Sequence, residues 1–321
     1  MTSVTKLPLD DASIGNIKDY RSNSLWRLTF KRLLRQRSAI VGLVLLGLLT
    51  FAAIAAPLIA PYNPDQVLIG VEDVKKRESP CIHLLGCPKD QPQHIMGIDG
   101  NVRDEFSRVI FGTRVSLRVG FVTVGFAIIV GTILGAVSGY FGGWLGDVIM
   151  RIMDVVLAFP FLLLAIAIVS VLGPGLTNAM LAIAFVSIPA YARVVRASIL
   201  SVREYDFVEA SRALGASHWQ ILFGRILPNS LPPLIVQGTL GIGTAILDTA
   251  ALSFIGLGAQ PPTSEWGAML AGERNQVFSA PHLVFFPGLA IMVTVLAFNL
   301  LGDGLRDALD PRLVHAGVKS E

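Results

Sequence analysis

Residues 155–192 read VVLAFPFLLLAIAIVSVLGPGLTNAMLAIAFVSIPAYA, without one Asp, Glu, Lys or Arg. A helix rising about 1.5 Å per residue needs about 20 apolar residues to cross roughly 30 Å of hydrocarbon, so this stretch holds two crossings. Gly173-Pro174-Gly175 separates them, because proline removes a backbone donor and glycine frees the turn. Four more stretches lack those charged residues, at 38–64, 119–146, 226–247 and 275–302, and each can hold a crossing.

The chain of 321 residues is 53% hydrophobic and only 15% charged, with a mean hydropathy of +0.63, beyond the usual balance of a soluble domain. Its net charge of +3 is small, and the basic residues sit beside apolar segments and not among aromatics, which argues against a nucleic-acid partner. The basic run Lys31 to Arg37 before Ala39–Ala60 imitates a signal peptide. That reading fails because the apolar stretch is longer than an h-region and starts nearly forty residues in.

These patterns predict an all-α polytopic membrane protein with six transmembrane helices, at about 39–60, 117–140, 147–172, 178–199, 233–258 and 284–303. The fifth is glycine-rich and weakly apolar near Gly238 to Thr244, so a re-entrant segment stays open there as an alternative. Expected divisions are an N-terminal tail (1–38), a first helix with a long loop (39–116) resembling an appendage, a five-helix core (117–303) with an amphipathic loop at 203–233, and a C-terminal tail (304–321). Lys and Arg counts favour both termini in the cytoplasm. That side receives eight from the N-terminal tail, Arg151, five between Arg193 and Arg225, and three from the C-terminal tail, while short outer loops receive only Arg274. Seven basic residues in the loop 61–116, among them Arg103, Arg108 and Arg114, count the other way.

The loop Arg203 to Pro233 reads as a helix through Glu209 to Leu214, a turn at Gly215, an amphipathic helix Ser217 to Ile226 and a stop at Pro228. A helical hairpin projecting from a bundle is suited to docking. Glu209-Ala210-Ser211, then Gly215, then Arg225-Ile226-Leu227-Pro228 resemble the Glu-Ala-Ala…Gly…Ile-x-Leu-Pro signature of ABC-importer permeases. Ser211 stands for the second Ala and Arg225 for the Ile. Gly97-Ile98-Asp99, Arg103-Asp104, Ser107-Arg108 and Gly112 to Leu117 resemble the peptide, nickel and glutathione branch, with Val102 where that branch usually has Gly, which predicts a different local turn. Ala245 to Leu252, Gly256 to Pro262 and Glu265-Trp266-Gly267 are similar to dipeptide permease subunits, and Gly302 to Pro311 fits the same branch.

The resemblance implies a type I ABC importer-like permease fold and a multi-pass place in the cytoplasmic membrane. It implies coupling to an ATPase through Glu209, Ala210, Gly215, Leu227 and Pro228. Implied partners are a homologous permease subunit, two ABC ATPase subunits carrying ATP and Mg, an extracytoplasmic substrate-binding protein, and the lipid bilayer. The cargo would be di- or oligopeptides, with glutathione, nickel chelates or oligosaccharides as alternatives in the same branch.

Asp248 falls inside the fifth crossing, where a carboxylate is costly unless it faces a cavity or a partner. It either lines the translocation pathway and meets a peptide ammonium, or makes a structural bond to the partner subunit or sits nearer the interface. Arg151 and Asp154, three apart, can pair on one helical face. Cys81 and Cys87 fall in the predicted outer loop, where a disulfide, free thiols and a zinc site with His83 and His94 all remain open. The chain carries no phosphate loop, no H-E-x-x-H and no G-x-S-x-G, so no cofactor or catalytic residue is expected in it. An ion-coupled secondary transporter would need titratable intramembrane groups, for which Asp248 is the sole candidate, and an intramembrane enzyme lacks its motifs.

Overall fold

A computed structural model describes residue 30 and residues 32–309. The expected N-terminal tail as far as residue 29, and the expected C-terminal tail from 310 on, including Asp310-Pro311, lie outside the described residues. Numbered in chain order, the helices are α1 (Arg37–Ile59), α2 (Glu105–Phe141), α3 (Gly143–Leu157), α4 (Phe161–Leu172), α5 (Leu176–Arg203), α6 (Asp206–Ala213), α7 (His218–Ile221), α8 (Leu227–Phe254), α9 (Trp266–Glu273) and α10 (His282–Leu309). Among the described residues the only extended pairing is three isolated bridges.

Five helical runs are long and apolar enough to cross a membrane: α1, α2, α5, the continuous His218–Phe254 and α10. The third expected crossing, 147–172, is not one helix. It divides into α3 and α4, which meet at 90°. Pro160 has no N–H to continue α3 and disfavours helical backbone at Phe159, so the chain turns and restarts with Pro160 as the cap of α4.

The second crossing begins earlier than expected. Asp104 caps α2, its Oδ2 accepting from Ser107 N at 2.8 Å and Ser107 Oγ at 2.6 Å, and the helix then runs from Glu105. At about 1.5 Å per residue such a helix is far longer than roughly 30 Å of hydrocarbon, and the charged Glu105 and Arg108 mark the Asp104 end as the part suited to stand outside it. The fifth crossing is a continuous helix and not a re-entrant segment, ending near Gly256 at φ +87.

Small residues set the close contacts. A Cβ placed on Gly135 of α2 would lie 2.5 Å from Ala192 O of α5, and Gly131 and Gly139 sit on the same stripe against Tyr191 and Ile199. Without water to drive association, such stripes let helix backbones approach and gain dispersion contacts. Between these helices and α8 lies the main apolar core, with Ala127, Ile183, Ala192, Val195, Ile199 and Leu252 buried. α1 packs along α10 and α2, with Ala39 under Gly304 and Ala53 beside Leu117 and Phe298.

Residues 60–104 form a compact segment over one end of the bundle. Leu68, Ile98 and Val102 make its small core, and Cys81 and Cys87 are joined as a disulfide. Val102 adopts φ +59, the left-handed region that glycine prefers, so valine occupies a glycine-like turn conformation.

Candidate functional site

At the opposite end of α5 and α8, the chain between residues 203 and 227 projects as a helical hairpin. α6 closes through two bonds, Gly215 N donating to Arg212 O at 2.9 Å and Ala216 N to Ser211 O at 3.1 Å. This double closure needs a left-handed residue, and Gly215 supplies it at φ +80. Ser217 then starts α7 by a capping box, its N–H donating to Gln220 Oε1 at 2.9 Å while its Oγ accepts from Gln220 N.

The hairpin has two faces. Val208, Ile221, Leu222 and Ile226 are buried against the bundle, and Tyr140 Oη lies 2.8 Å from His218 Nδ1, tying the hairpin to the end of α2. On the free face Leu214 is 88% exposed, Trp219 61% and Phe223 54%, with the last two rings stacked. Glu209, Ala210, Gly215 and Pro228 are exposed too, and Leu227 is half-buried. A hollow of about 820 Å³ runs beside Leu214, Trp219, Phe223 and Arg225. These large apolar side chains form one exposed patch beside the hollow.

Pro228 does not stop the helix. Between Leu222 and Ile226 the backbone widens to a π-turn, Leu227 N donating to Leu222 O, and α8 continues from it. Proline suits the first turn of a helix, where its missing donor goes unmissed.

Asp248 lies six positions before Phe254 on α8, about 9 Å from that helix end at 1.5 Å per residue. It lines a cavity of about 320 Å³ together with Phe161, Ser187, Tyr191, Gln237 and Thr244. Leu157 and Phe161, which flank the 90° bend, form one wall. No hydrogen bond reaches its carboxylate from the described residues. Asp154 pairs not with Arg151 but with Arg193 of α5, Nη2 to Oδ1 at 2.6 Å, because the neighbouring helix brings a guanidinium closer than the next turn does.

The segment 60–104 carries a polar cluster that the spacing of the sequence did not announce. His94 Nδ1 lies 2.8 Å from Asp104 Oδ1 and its Nε2 3.1 Å from Glu72 Oε2, while Tyr62 Oη donates to Glu72 Oε1 at 2.7 Å. Burial pushes the His94 pKa down, but the bonds and charges of Asp104 and Glu72 outweigh it and hold it above the usual value. Among the described residues no group of three or more His, Cys, Asp or Glu could hold a metal ion.

Residues 131–315 match the family described as binding-protein-dependent transport system inner membrane component, and residues 24–79 match the N-terminal TM domain of oligopeptide transport permease C. The chain is 48% identical over 294 residues to the dipeptide transport system permease protein DppC of Alkalihalophilus pseudofirmus, covering 92% of each. It is 43% identical over 302 residues to the glutathione transport system permease protein GsiD of Pectobacterium atrosepticum, covering 94% of this chain and 96% of that one. The fold is similar to a solved chain of the inward-facing MetNI methionine ABC transporter, with a TM-score of 0.53 at 22% identity over 63% of this chain and 97% of that one. The chain is an integral membrane permease of the ABC-importer type. It belongs to the binding-protein-dependent transport system inner membrane component family.

Proposed function

We propose that this chain is the permease subunit of an ATP-driven importer of di- or oligopeptides, forming half of the pathway with a homologous permease. The observation that carries the reading is the hairpin 206–226, whose exposed Leu214, Trp219 and Phe223 coincide with the Glu209…Gly215…Leu227-Pro228 signature. Two ABC ATPases bind ATP and Mg, and one docks on this hairpin. Both termini are cytoplasmic, and residues 60–104 face a substrate-binding protein outside, where oxidising surroundings suit the Cys81–Cys87 disulfide. Closure of the ATPases moves the hairpin and α8 as a body, and alternating access follows as nucleotide biases two packings of the bundle. Asp248 offers a carboxylate to the cationic end of the cargo along the pathway. The names of the relatives support peptides, and glutathione is the second cargo to assay.

The test is reconstitution in proteoliposomes. Alone, the chain should neither bind nor hydrolyse ATP. With its partners it should take up dipeptide, and mutation of the ATPases' catalytic residues should stop uptake. Uptake that survives those mutations and collapses with an ionophore would replace the reading by a secondary transporter.

A further inference from the structure

A second polar pocket, of about 170 Å³, has no part in this scheme. Its walls come from the start of α2, the strap 77–101 and α9, and they present Arg77, Asp99, Arg103, Glu105, Arg108 and Glu273. Five of these six charges are already engaged. Arg103 Nη2 lies 2.7 Å and Arg108 Nε 3.5 Å from Asp99 Oδ2, and Arg108 Nη1 donates to Pro64 O at 2.9 Å. Arg77 Nε donates to Glu273 Oε2 at 2.8 Å, and Gly100 N to Glu273 Oε1 at 2.9 Å.

Glu105 is the exception. It is 2% exposed, and its Oε1 has no hydrogen-bond partner. A buried carboxyl left without a donor either keeps a proton or gains its charge from an incoming donor or cation. Metal is a poor occupant, since no metal-ligating group of three forms among the described residues. An alkylammonium fits: it brings one positive charge and three donors on a narrow stem.

The pocket also lies off the pathway. α9 covers the face of α8 that carries Ala250, Gly267 being pressed against it. Positions 248 and 250 point about 200° apart on a helix of 3.6 residues per turn, so Asp248 faces the other way. The Arg77 side chain, 37% exposed, marks the mouth on the side of the segment 60–104.

We propose that this pocket receives a lysine side chain of the substrate-binding protein when it docks, with Glu105 as the counter-charge. The inference rests on the reading above that residues 60–104 face that protein.

The test uses the assembled transporter in lipid nanodiscs and its cognate binding protein. Glu105→Gln keeps the shape and removes the charge. It should weaken docking roughly ten- to a hundredfold, the range of a charged hydrogen bond, and leave ATPase activity without binding protein unchanged. Among Lys→Met variants of the binding protein, one should reproduce that loss and add nothing to Glu105→Gln. Unchanged docking by Glu105→Gln, or additivity with every lysine variant, overturns the proposal. So does a raised KM for free dipeptide but not for its N-acetyl form with docking intact, which would give the ammonium to the cargo. If Glu105→Gln fails to assemble, the lysine variants decide against the wild-type transporter, and the absence of any that weakens docking tenfold overturns it. A wild-type transporter that docks no binding protein at all sinks the importer reading instead.

Discussion

Arg114 of α2 donates through Nε to the carbonyl of Ala53, the oxygen that Pro57 leaves without its helical donor four residues on. Its Nη2 reaches Ile54 O at 2.8 Å, and the guanidinium sits 5.6 Å from the Phe111 ring centroid. In lipid an unsatisfied carbonyl costs several kcal/mol, so the proline in α1 and the arginine in α2 form one unit. Arg114→Met should lower stability by about 1–3 kcal/mol. In a Pro57→Ala background, where the helix regains its own bond, the loss should shrink. Thermal unfolding in detergent for all four proteins checks this, and equal losses in both backgrounds would break the link.

Gly215 has open space where a Cβ would go, so substitution there strains the backbone without a clash inside the chain. Gly215→Ala should cost about 1 kcal/mol through the left-handed φ. Gly215→Val should hurt more and crowd the docking face as well. Glu209→Ala removes an exposed carboxylate from the hairpin. These changes should leave insertion and assembly with the partner permease intact and lower co-purified ATPase and uptake at matched expression. Normal uptake with stoichiometric ATPase in Gly215→Val would remove the hairpin from the coupling scheme.

Asp248→Asn should show the converse pattern, sparing ATPase association while lowering uptake. The deficit should be larger for peptides with a free ammonium than for N-acetylated ones. Equal rates for Asp248→Asn and wild type across both kinds would give the carboxylate a structural role.

His94 makes the segment 60–104 sensitive to pH. Its folded pKa is above the usual value, because burial, which lowers it, is outweighed by Asp104 and Glu72. A raised pKa contributes stability that is fully present below about 6.5 and is lost as pH rises through the folded value. The gap in unfolding midpoint between wild type and His94→Gln should therefore be widest at pH 6 and narrow toward pH 8. A gap independent of pH would mean that the imidazole acts only as a neutral hydrogen-bonding group.

Orientation can be read from the cysteines. After reduction, a membrane-impermeant maleimide should label Cys81 and Cys87 in cells whose inner membrane is intact, with little labelling beforehand. Labelling that requires lysis of the inner membrane would invert the topology.

The membrane class was legible at once from 155–192, and the hairpin from the positions of Glu209, Gly215 and Pro228, since turn chemistry and apolar runs are local. Pro160 is the local signal for the bend, but a single proline inside an apolar run of crossing length is equally compatible with one kinked helix. Pro228 reads as a stop in the sequence, because a π-turn that absorbs a proline leaves no mark in composition. The Arg114–Ala53 bond, the Arg193–Asp154 pair and the His94 cluster join residues 39 to 61 and 10 to 22 positions apart, distances at which one sequence gives no pairing signal. Pro57 in an apolar run was the one available hint of the first.

Because the π-turn at 222–226 widens the helix without breaking it, His218 to Phe254 is one continuous arm, with Pro232 and Pro233 inside it. Trp219 and Asp248 stand near its two ends, about 44 Å apart along the axis at 1.5 Å per residue. Pivoted at the hairpin, a tilt of ~10° would sweep the carboxylate through about 8 Å on that length. A shallow rotation at the hairpin would then become a stroke on the scale of a residue beside the cavity that holds Asp248.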